Sequence, residues 1–477
     1  MKELADFAVG YAGELGAEYA EARFQNDLKN MYLLVNGKPE VGRFVRSSGI
    51  GIRVLIDGGM SFLSINKPDK ELLKKRVKEA VKIARSSVKT MKKPIRLSPE
   101  KTSKKEWEAK AKIPFKDVSL KEKVGLLFDI DNAVSSPREV GIKIASRYFY
   151  FLEYEIEKYF LNSEGTEVSS FLPKIMFYGL LTASEPQKGT EQDRIGKGES
   201  RGWEAVKEWD LVNHAAEKAK TLGRILKTAK EAPKGRLDIV LGSEVVGLMM
   251  HESAGHPYEA DRIMGREAAQ AGESFITRDM IGQKIGPETV TVVDDPTVEH
   301  SFGYYLYDDE GVPARRRYLI EGGVINEFLH NRETAFEMGV KSNGAARAEF
   351  FDREPIVRMA STFMLPGDHT FEELIEDVKQ GVFMNTFGEW NIDDRRYNMR
   401  FIGRECYLIE KGNLRSMVRR PILEITTPGF FGSIDALDKN LKYEGAICGK
   451  SDPAQGAPVW HGGPNVRVKD VKLGGVE

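Results

Sequence analysis

Hairpin turn sequences between short apolar segments constrain the fold of this chain more than any other feature. Asn-Gly at 36–37 and Asp-Gly-Gly at 57–59 interrupt apolar runs near the amino terminus, and Glu-Gly-Gly at 321–323 and Lys-Gly-Asn at 411–413 interrupt later ones. Such sequences favour tight turns between neighbouring strands. In the carboxyl-terminal half the strands follow one another too closely for crossover helices, which favours antiparallel pairing. The pattern predicts an α+β fold.

The length of 477 residues corresponds to about three folding units of roughly 150 residues each. Residues 1–90 and 119–230 each begin with an amphipathic helix pattern and continue with antiparallel strands. Between them, residues 91–118 are rich in Lys, Ser and Pro without a sustained period, which indicates a basic linker. Residues 235–477 form the third unit, for which we predict a large antiparallel sheet or barrel-like domain that carries a helix from Ser243.

Composition and charge exclude several classes of function. The chain has 71 Lys and Arg residues against 72 Asp and Glu residues, so its net charge of -1 gives no reason to expect binding to nucleic acid or to an anionic membrane. The longest apolar stretch, residues 175–181, is far below the roughly 20 residues that span a bilayer. With only two cysteines, a disulfide framework is excluded. We therefore expect a soluble, cytoplasmic protein.

The strongest chemical signal is the HExxxH sequence at residues 251–256. It combines His251 and His256 with Glu252, and two imidazoles beside a carboxylate suit zinc-dependent hydrolysis. Positions five apart on an α-helix lie about 140° from each other, so a regular helix would separate the two rings. Gly255, as a left-handed helix stop, and the following proline end the helix, or a single-turn π-bulge absorbs the extra residue. Either geometry brings the two rings together.

The residues alone leave the third metal ligand open. A catalytic zinc site usually takes three protein ligands. Candidates are the two cysteines, the remaining histidines, Glu259 and Asp261. Cys406 lies in an apolar, strand-like run, which indicates core packing. Cys448 is flanked by glycines that let the backbone bend around a metal, and Lys450 would favour its thiolate form.

Further segments occur in an order that resembles a known family. After HESAGH, these segments are PYEAD at 257–261, VVDDP at 292–296, YDDEGVPARR at 307–316, LPGD at 365–368 and CGK at 448–450. With these motifs the chain resembles the TldD branch of the TldD/PmbA metalloproteases, which are also labelled modulators of DNA gyrase. The motifs cover residues 237–477 closely, and the preceding segments agree in order with the first two domains of that family.

The resemblance implies a function and a set of site residues. It implies a zinc ion held by His251, His256 and Cys448, with Glu252 as general base, in an enzyme that hydrolyses peptides by zinc-activated water. We expect the substrates to be unfolded or extended peptides, because a strand edge beside the metal would bind them through main-chain hydrogen bonds. The family works as dimers, so we expect a homodimer or a heterodimer with a PmbA/TldE-type subunit that lacks the zinc motif. No family ligand is expected at His461, which we leave outside the metal site.

Two other functions stay open at this point: a peptide-binding or gyrase-associated regulator with a structural zinc, and a zinc amidase for small metabolites. A structural zinc site is normally closed by a fourth protein ligand, and the sequence near the motif offers none, which favours the peptidase.

Glu259 or Asp261 would orient a ligand histidine from outside the metal site. Residues 315–317, three consecutive arginines, are predicted to form a charged strand surface.

Overall fold

The computed structural model describes residues 2–40, 42–135, 142–267 and 272–475, and its architecture is α+β, as predicted. The α-helices in these ranges are α1 Lys2–Glu14, α2 Lys70–Ser87, α3 Leu120–Ser135, α4 Glu204–Glu208, α5 Leu211–Thr228, α6 Ser243–Met250, α7 Ala260–Ile263, α8 Arg332–Met338, α9 Phe371–Ile375 and α10 Thr427–Ser433. Among the described helices, none is both long enough and apolar enough to cross a membrane.

One eight-stranded sheet contains the strands of both amino-terminal units. Its strands are β1 Tyr19–Val35, β2 Lys38–Pro39, β3 Arg43–Ile56, β4 Gly59–Asn66, β5 Lys104–Glu108, β6 Lys143–Asn162, β7 Glu167–Glu185 and β8 Gly189–Glu199. The strand order is β4-β3-β1-β6-β7-β5, with β2 beside β1 and β8 beside β7. Because β1 pairs antiparallel with β6 over most of its length, the two units share one sheet. Hairpin signals carry no information about such a long-range pairing.

The segment 91–118, which the sequence pattern indicates as a linker, contains part of this sheet. Strand β5 lies parallel to β7, with Lys104 beside Glu167 and Glu108 beside Phe171. All of its side chains except the half-buried Trp107 are exposed. A strand at a sheet edge with charged, exposed residues has no hydrophobic alternation, so the pattern does not distinguish it from a linker.

The helices α1 and α2 cover one half of this sheet, and α3 and α5 cover the other half. Helix α2 begins directly after Asp69, because the Asp69 side chain accepts a hydrogen bond of 2.8 Å from the Leu72 backbone amide. Its buried residues are Leu73, Val77, Ala80, Val81 and Ala84. Their helical spacing forms an apolar stripe against the sheet, which gives this half of the domain a core of its own.

The carboxyl-terminal unit is built on two larger sheets and a two-stranded ribbon. Its strands are β9 Lys230–Glu231, β10 Gly235–Leu241, β11 Val292–Asp294, β12 Arg317–Glu321, β13 Val324–Ile325, β14 Ala346–Arg347, β15 Ile356–Val357, β16 Ser361–Met364, β17 Gln380–Met384, β18 Phe387–Ile392, β19 Asn398–Gly403, β20 Cys406–Glu410, β21 Asn413–Arg419, β22 Pro421–Thr426, β23 Ile434–Leu437, β24 Lys442–Lys450, β25 Gln455–Gly463 and β26 Val466–Gly475. The ribbon consists of β14 and β15.

The ten-stranded sheet has the order β18-β19-β22-β26-β10-β17-β20-β21-β9, with β23 beside β26, and the six-stranded sheet has the order β13-β12-β11-β16-β25-β24. The predicted hairpins at 321–323 and 411–413 connect β12 to β13 and β20 to β21. Most pairs are antiparallel, as predicted, but β17 lies parallel to β10, β25 lies parallel to β16, and β21 lies parallel to β9. In each case a long intervening segment returns the chain to the same end of the sheet. In the described part of the chain, the two end strands of the ten-stranded sheet, β18 and β9, do not pair with each other. The unit therefore contains an open sheet and not a barrel.

Helix α6 is buried in the carboxyl-terminal unit and packs against β16, β24 and β25. Its residues Val245, Val246, Met249 and Met250 are each fully shielded from solvent. A helix that is apolar on all sides is stable only inside a core. The core therefore fixes the position of the last helical turn, where the HExxxH sequence begins.

A buried ion cluster joins the amino-terminal sheet to the carboxyl-terminal unit. Arg53 of β3 is 2% exposed, and its Nη2 lies 2.8 Å from Glu21 Oε2 and 2.7 Å from Glu310 Oε1. Nearby, Arg332 of α8 donates from Nη2 to the Ser98 carbonyl at 2.8 Å. Since Glu310 and Arg332 belong to the carboxyl-terminal unit, these contacts hold that unit against the amino-terminal sheet.

We expect Arg53→Met to lower the free energy of unfolding by about 3–5 kcal/mol, because it leaves two buried carboxylates without a cation. The measurement is the midpoint of denaturation in guanidinium chloride. The matched control is Arg76→Met, since Arg76 forms an exposed pair with Glu79 on α2. Such a surface pair contributes about 0–1 kcal/mol. Equal midpoints for the two variants would contradict the locking role of the cluster.

Candidate metal centre

A π-helical turn at the end of α6 brings the two motif histidines together. The turn spans His251–Gly255 and is followed by a 3-10 turn at His256–Tyr258. The His256 amide donates to the His251 carbonyl, five residues earlier, and this closes the wider turn. The two ring centroids are 4.9 Å apart, at an angle of 81°. The π-bulge alternative of the sequence analysis is therefore confirmed.

Gly255 acts differently from its predicted role as a left-handed helix stop. Its φ is -64°, which is an ordinary right-handed helical value. A Cβ at this position would lie 2.6 Å from the Met359 sulfur, well inside contact distance. Glycine is therefore needed here for packing, because the turn presses closely against the segment before β16.

The structure places Cys448 of β24 beside the two histidines. Its Sγ lies 3.4 Å from His256 Nε2, and the ligand atoms of His251, His256 and Cys448 all lie within 4.8 Å of one another. All three residues are buried. Cys406 is fully buried in the core at the start of β20, as the sequence pattern indicated. In the described part of the chain, this trio is the group of His, Cys, Asp and Glu side chains that comes close enough to hold one metal ion.

The electrostatic environment favours the deprotonated thiol. Burial alone would raise the pKa of Cys448, but the neighbouring His256, His251 and Arg358 hold that pKa well below its ordinary value. Burial likewise acts to lower the pKa of His256, yet Cys448 and Glu259 together raise it. A thiolate beside two imidazoles is a donor set that suits zinc, and the thiolate is the form that binds metal.

Glu259 contacts one of these histidines on the side away from the thiol. Its Oε2 lies 3.1 Å from His256 Nδ1, so it fixes the ring orientation and leaves Nε2 directed toward Cys448. Burial acts to raise the pKa of Glu259, but Lys450, His256 and Arg262 hold it well below its usual range. Of the two acids considered from the sequence, Glu259 and not Asp261 contacts a motif histidine.

Lys450 has a different position from the one expected. Its ammonium group lies 3.2 Å from Glu259 Oε2, 2.7 Å from Asp261 Oδ1 and 3.3 Å from Glu267 Oε1. The sequence analysis expected it to act on the neighbouring thiol. Alternation along β24 does place Lys450 and Cys448 on one face, but the long lysine side chain extends past the thiol to the carboxylates. It acts on the site through Glu259.

Arg358 is a site residue that the sequence analysis missed. It is 1% exposed, donates from Nη2 to the Cys448 carbonyl at 2.6 Å, and donates from Nη1 to the Gln455 carbonyl at 3.2 Å. It therefore holds the backbone of both strands of the hairpin that carries the thiol. The only sequence signal is an arginine within the apolar run that contains β15 and β16, and that signal does not name a partner.

Glu252 lies on the same turn and is only 8% exposed. Its Oε2 accepts a hydrogen bond of 2.9 Å from Arg396 Nη1, at the turn between β18 and β19. Arg396 also lines a cavity of about 580 Å³, together with Gly449 and Lys450. The carboxylate is thus hydrogen-bonded to a residue that lines this cavity.

His461 of β25 lies behind the first motif histidine. The ring centroids of His461 and His251 are 5.9 Å apart, and both residues are buried. His461 is outside the group of ligand atoms within 4.8 Å. It therefore contacts a candidate ligand without joining the candidate ligand set.

The three consecutive arginines do not form the predicted charged surface. Arg317 is completely buried, with Nη2 at 2.8 Å from Asp294 Oδ2. The other two are more exposed and pair with acids, Arg316 with Asp295 and Arg315 with Glu327. Only Arg317 belongs to strand β12, where its side chain is buried, whereas Arg315 and Arg316 precede the strand.

Three family models match the chain in order and cover well over half of it. The model described as PmbA/TldA metallopeptidase domain 1 matches residues 20–84. The central-domain model matches residues 113–222, and the C-terminal-domain model matches residues 234–475. The candidate metal centre lies entirely within the last of these ranges.

Two curated relatives carry names that describe an activity. A metalloprotease of Methanocaldococcus jannaschii is 32% identical over 451 residues, which is 94% of this chain and 96% of the relative. A protein of Saccharolobus solfataricus named zinc metalloprotease TldD homolog is 30% identical over 257 residues, which is 53% of this chain and 55% of that protein.

Solved structures share the fold at lower identity. A crystal structure from Thermotoga maritima, described as a modulator of a DNA gyrase, superposes with a TM-score of 0.79 at 16% identity and covers 99% of this chain and all of the other. TldE from Thermococcus kodakarensis superposes with a TM-score of 0.73 at 17% identity, with both chains covered completely. These likenesses establish the architecture.

Proposed function

This chain belongs to the PmbA/TldA metallopeptidase family and is a metallopeptidase; from this premise we propose that it uses zinc to hydrolyse unfolded or extended peptides. His251, His256 and Cys448 would hold the ion, and Glu252 would act as general base. The observation that carries the proposal is the convergence of these three ligand atoms within 4.8 Å of one another, with Glu252 next to His251 on the same π-helical turn. We assign catalysis to residues 235–477, which contain all of these residues.

The donor set supports a catalytic rather than a structural zinc site. Two imidazoles and one thiolate make three protein ligands, and a catalytic site typically keeps its fourth position for water or substrate. When bound, zinc would acidify a coordinated water and polarise the scissile carbonyl. Among the described residues, no fourth side chain of the ligand types reaches the group. This argues against the alternative of a regulator with a structural zinc.

The protein side chains would carry the protons of the reaction. Glu252 would accept the proton from the attacking water at its carboxylate and then pass it to the leaving amine nitrogen. Glu259 would hold His256 in one orientation throughout, and Arg358 would hold the strand that bears Cys448. Burial of all these groups limits access of bulk water to the reacting atoms.

The position of Cys448 supports a preference for extended substrates. Strand β24, which carries it, is the last strand of the six-stranded sheet in the described part of the chain. A sheet edge binds an extended peptide through main-chain hydrogen bonds, with little demand on side-chain identity. A segment inside a folded domain has its own hydrogen-bond partners and would not add to this edge.

The test is cleavage of one peptide sequence in two forms by metal-loaded protein. We expect the free peptide to be cleaved and the same segment, locked within a stably folded carrier, to resist. A chelator should stop cleavage, and added zinc should restore it. Equal cleavage of both forms would refute the substrate preference, and cleavage that persists in metal-free protein would refute the metal requirement.

The proposal extends to assembly. We propose that the chain functions as a homodimer or as a heterodimer with a PmbA/TldE-type subunit, and the full-length fold shared with TldE supports this. An enclosed cleft between subunits would admit one extended strand and exclude a globule. Light scattering should show a dimer, alone or after a TldE-type chain is added. Full activity in a strictly monomeric preparation would contradict this arrangement.

We expect Glu259→Gln to weaken zinc binding by about 10–100-fold, because outer residues that orient a histidine ligand contribute this much to metal affinity. The amide keeps the size of the side chain but removes the charge that faces His256 and Lys450. Metal affinity is measured by competition with a chromogenic chelator. Glu354→Gln is the control, since Glu354 pairs with Arg266 away from the candidate ligands. Equal zinc affinities for the two variants would remove Glu259 from the site.

A further inference from the structure

The residue that pairs with the general base has no assigned role in the chemistry described so far. Arg396 lies at the turn between β18 and β19, and its Nη1 donates to Glu252 Oε2 at 2.9 Å. A general base must lie within hydrogen-bond reach of the water that it deprotonates. A guanidinium bonded to that base is therefore a close neighbour of the carbon under attack.

The guanidinium has a donor that is not used within the described protein. Arg396 Nε is buried and finds no acceptor among the described residues. A buried donor without a partner costs about 1–3 kcal/mol, so such a donor normally marks the place of a missing acceptor. The planar guanidinium presents five N–H groups and binds anionic oxygens well.

The local backbone holds Arg396 in one position. Its φ is 63°, in the left-handed region that non-glycine residues rarely adopt. The turn is fixed because Asp393 accepts hydrogen bonds from the amides of Tyr397 and Asn398, at 2.8 Å and 3.0 Å. Thr427 Oγ1 also donates to the Arg396 carbonyl at 2.7 Å. Strained backbone that is held by several contacts is common at functional sites.

The other cations at the same cleft are already neutralised. Lys450 contacts three carboxylates, and Arg262 is buried against Glu259 and Glu267. Arg396 is more accessible, with 21% of its side chain exposed, and it lines the cavity of about 580 Å³. Of these three cations, Arg396 pairs with one carboxylate, that of Glu252, and is the one exposed enough to meet an incoming peptide.

We propose that Arg396 is a catalytic residue that binds the carbonyl oxygen of the scissile bond as this oxygen becomes negative; the inference rests on the proposed function. The water oxygen forms a bond to the carbonyl carbon, and the carbonyl π pair moves onto the oxygen, which accepts hydrogen bonds from Arg396. The water proton goes to Glu252. When the pair returns, the C–N bond breaks, and Glu252 gives the proton to the leaving amine, so one peptide and one water become an acid and an amine.

The test compares Arg396→Gln with Arg395→Gln, a neighbouring exposed arginine on the same turn. Calorimetry on zinc-loaded protein measures binding of two peptides that differ at the scissile bond. One carries a phosphonate, which is tetrahedral and anionic, and the other carries a reduced amide, which has no carbonyl oxygen. We expect Arg396→Gln to lower phosphonate affinity and kcat by about 10²–10³-fold, the size of effect expected for an oxyanion donor, and to leave reduced-amide affinity within about threefold.

Further measurements separate catalysis from folding. The zinc content and thermal midpoint of Arg396→Gln should equal those of Arg395→Gln, and free guanidinium should restore part of kcat in Arg396→Gly. Equal losses of phosphonate and reduced-amide affinity would overturn the inference in favour of general substrate binding. Unchanged kcat in Arg396→Gln would overturn it while the proposed function stands. Failure of the unmodified protein to cleave any peptide would instead count against the proposed function.

Discussion

Glu252→Gln is expected to retain zinc and to lose turnover by about 10²-fold or more. The amide has nearly the shape of the carboxylate, and both motif histidines stay in place, but it cannot accept the proton of the attacking water. The experiment measures kcat on a free peptide together with the ratio of zinc to protein. Peptide binding should survive, because the removed group acts on the water and not on the substrate chain.

The matched control for this variant is Glu244→Gln. Glu244 lies in the first turn of α6, at the opposite end of the helix from the motif. We expect its turnover to stay within about threefold of the parent, since Glu244 takes no part in the proton transfer. If Glu252→Gln cleaves peptides at the parental rate, Glu252 is not the base.

The second large effect concerns the thiol. Cys448→Ser should lose stoichiometric zinc and, with it, activity, because a neutral hydroxyl is a poor ligand compared with a thiolate. Substitutions outside the ligand set lower metal affinity by about 10–100-fold, and we expect the loss in Cys448→Ser to be larger. Metal analysis after gel filtration measures it directly, and circular dichroism reports on the fold.

Cys406→Ser separates loss of a ligand from loss of a cysteine. Cys406 is fully buried, and burial raises the pKa of its thiol well above the ordinary value. The serine variant should keep its zinc but become less stable by about 1–3 kcal/mol, because a hydroxyl replaces an apolar group in the core. Stoichiometric zinc in Cys448→Ser would contradict its assignment as a ligand.

Local features of the fold were predictable from the sequence because they depend on neighbouring residues. The start of α2 at Asp69 follows from one capping side chain, and the hairpin at 411–413 follows from its turn residues. The five-residue spacing of His251 and His256 predicted a departure from a regular helix, and the π-turn was one of the two alternatives that it left open. In each case the cause lies within a few residues of the effect.

The remaining features depend on contacts between distant segments. The pairing of β1 with β6 merges two units that look independent in sequence. Arg358 and Arg396 reach the site from segments that carry no motif. The residues next to Lys450 in the sequence do not predict which carboxylates it contacts. Residue types and spacing predict which groups favour metal chemistry, but only the folded chain decides which buried charge meets which partner.

The sequence distance between the candidate ligands has a consequence for biosynthesis. Cys448 follows His256 by 192 residues. When the ribosome has just synthesised the histidine motif, the nascent chain does not yet contain Cys448. A chain that ends before residue 448 lacks this thiol altogether. The strand that completes the ten-stranded sheet beside β10 is made later still, at Val466–Gly475. The candidate ligand set therefore forms only when segments that lie 192 residues apart along the chain have folded together.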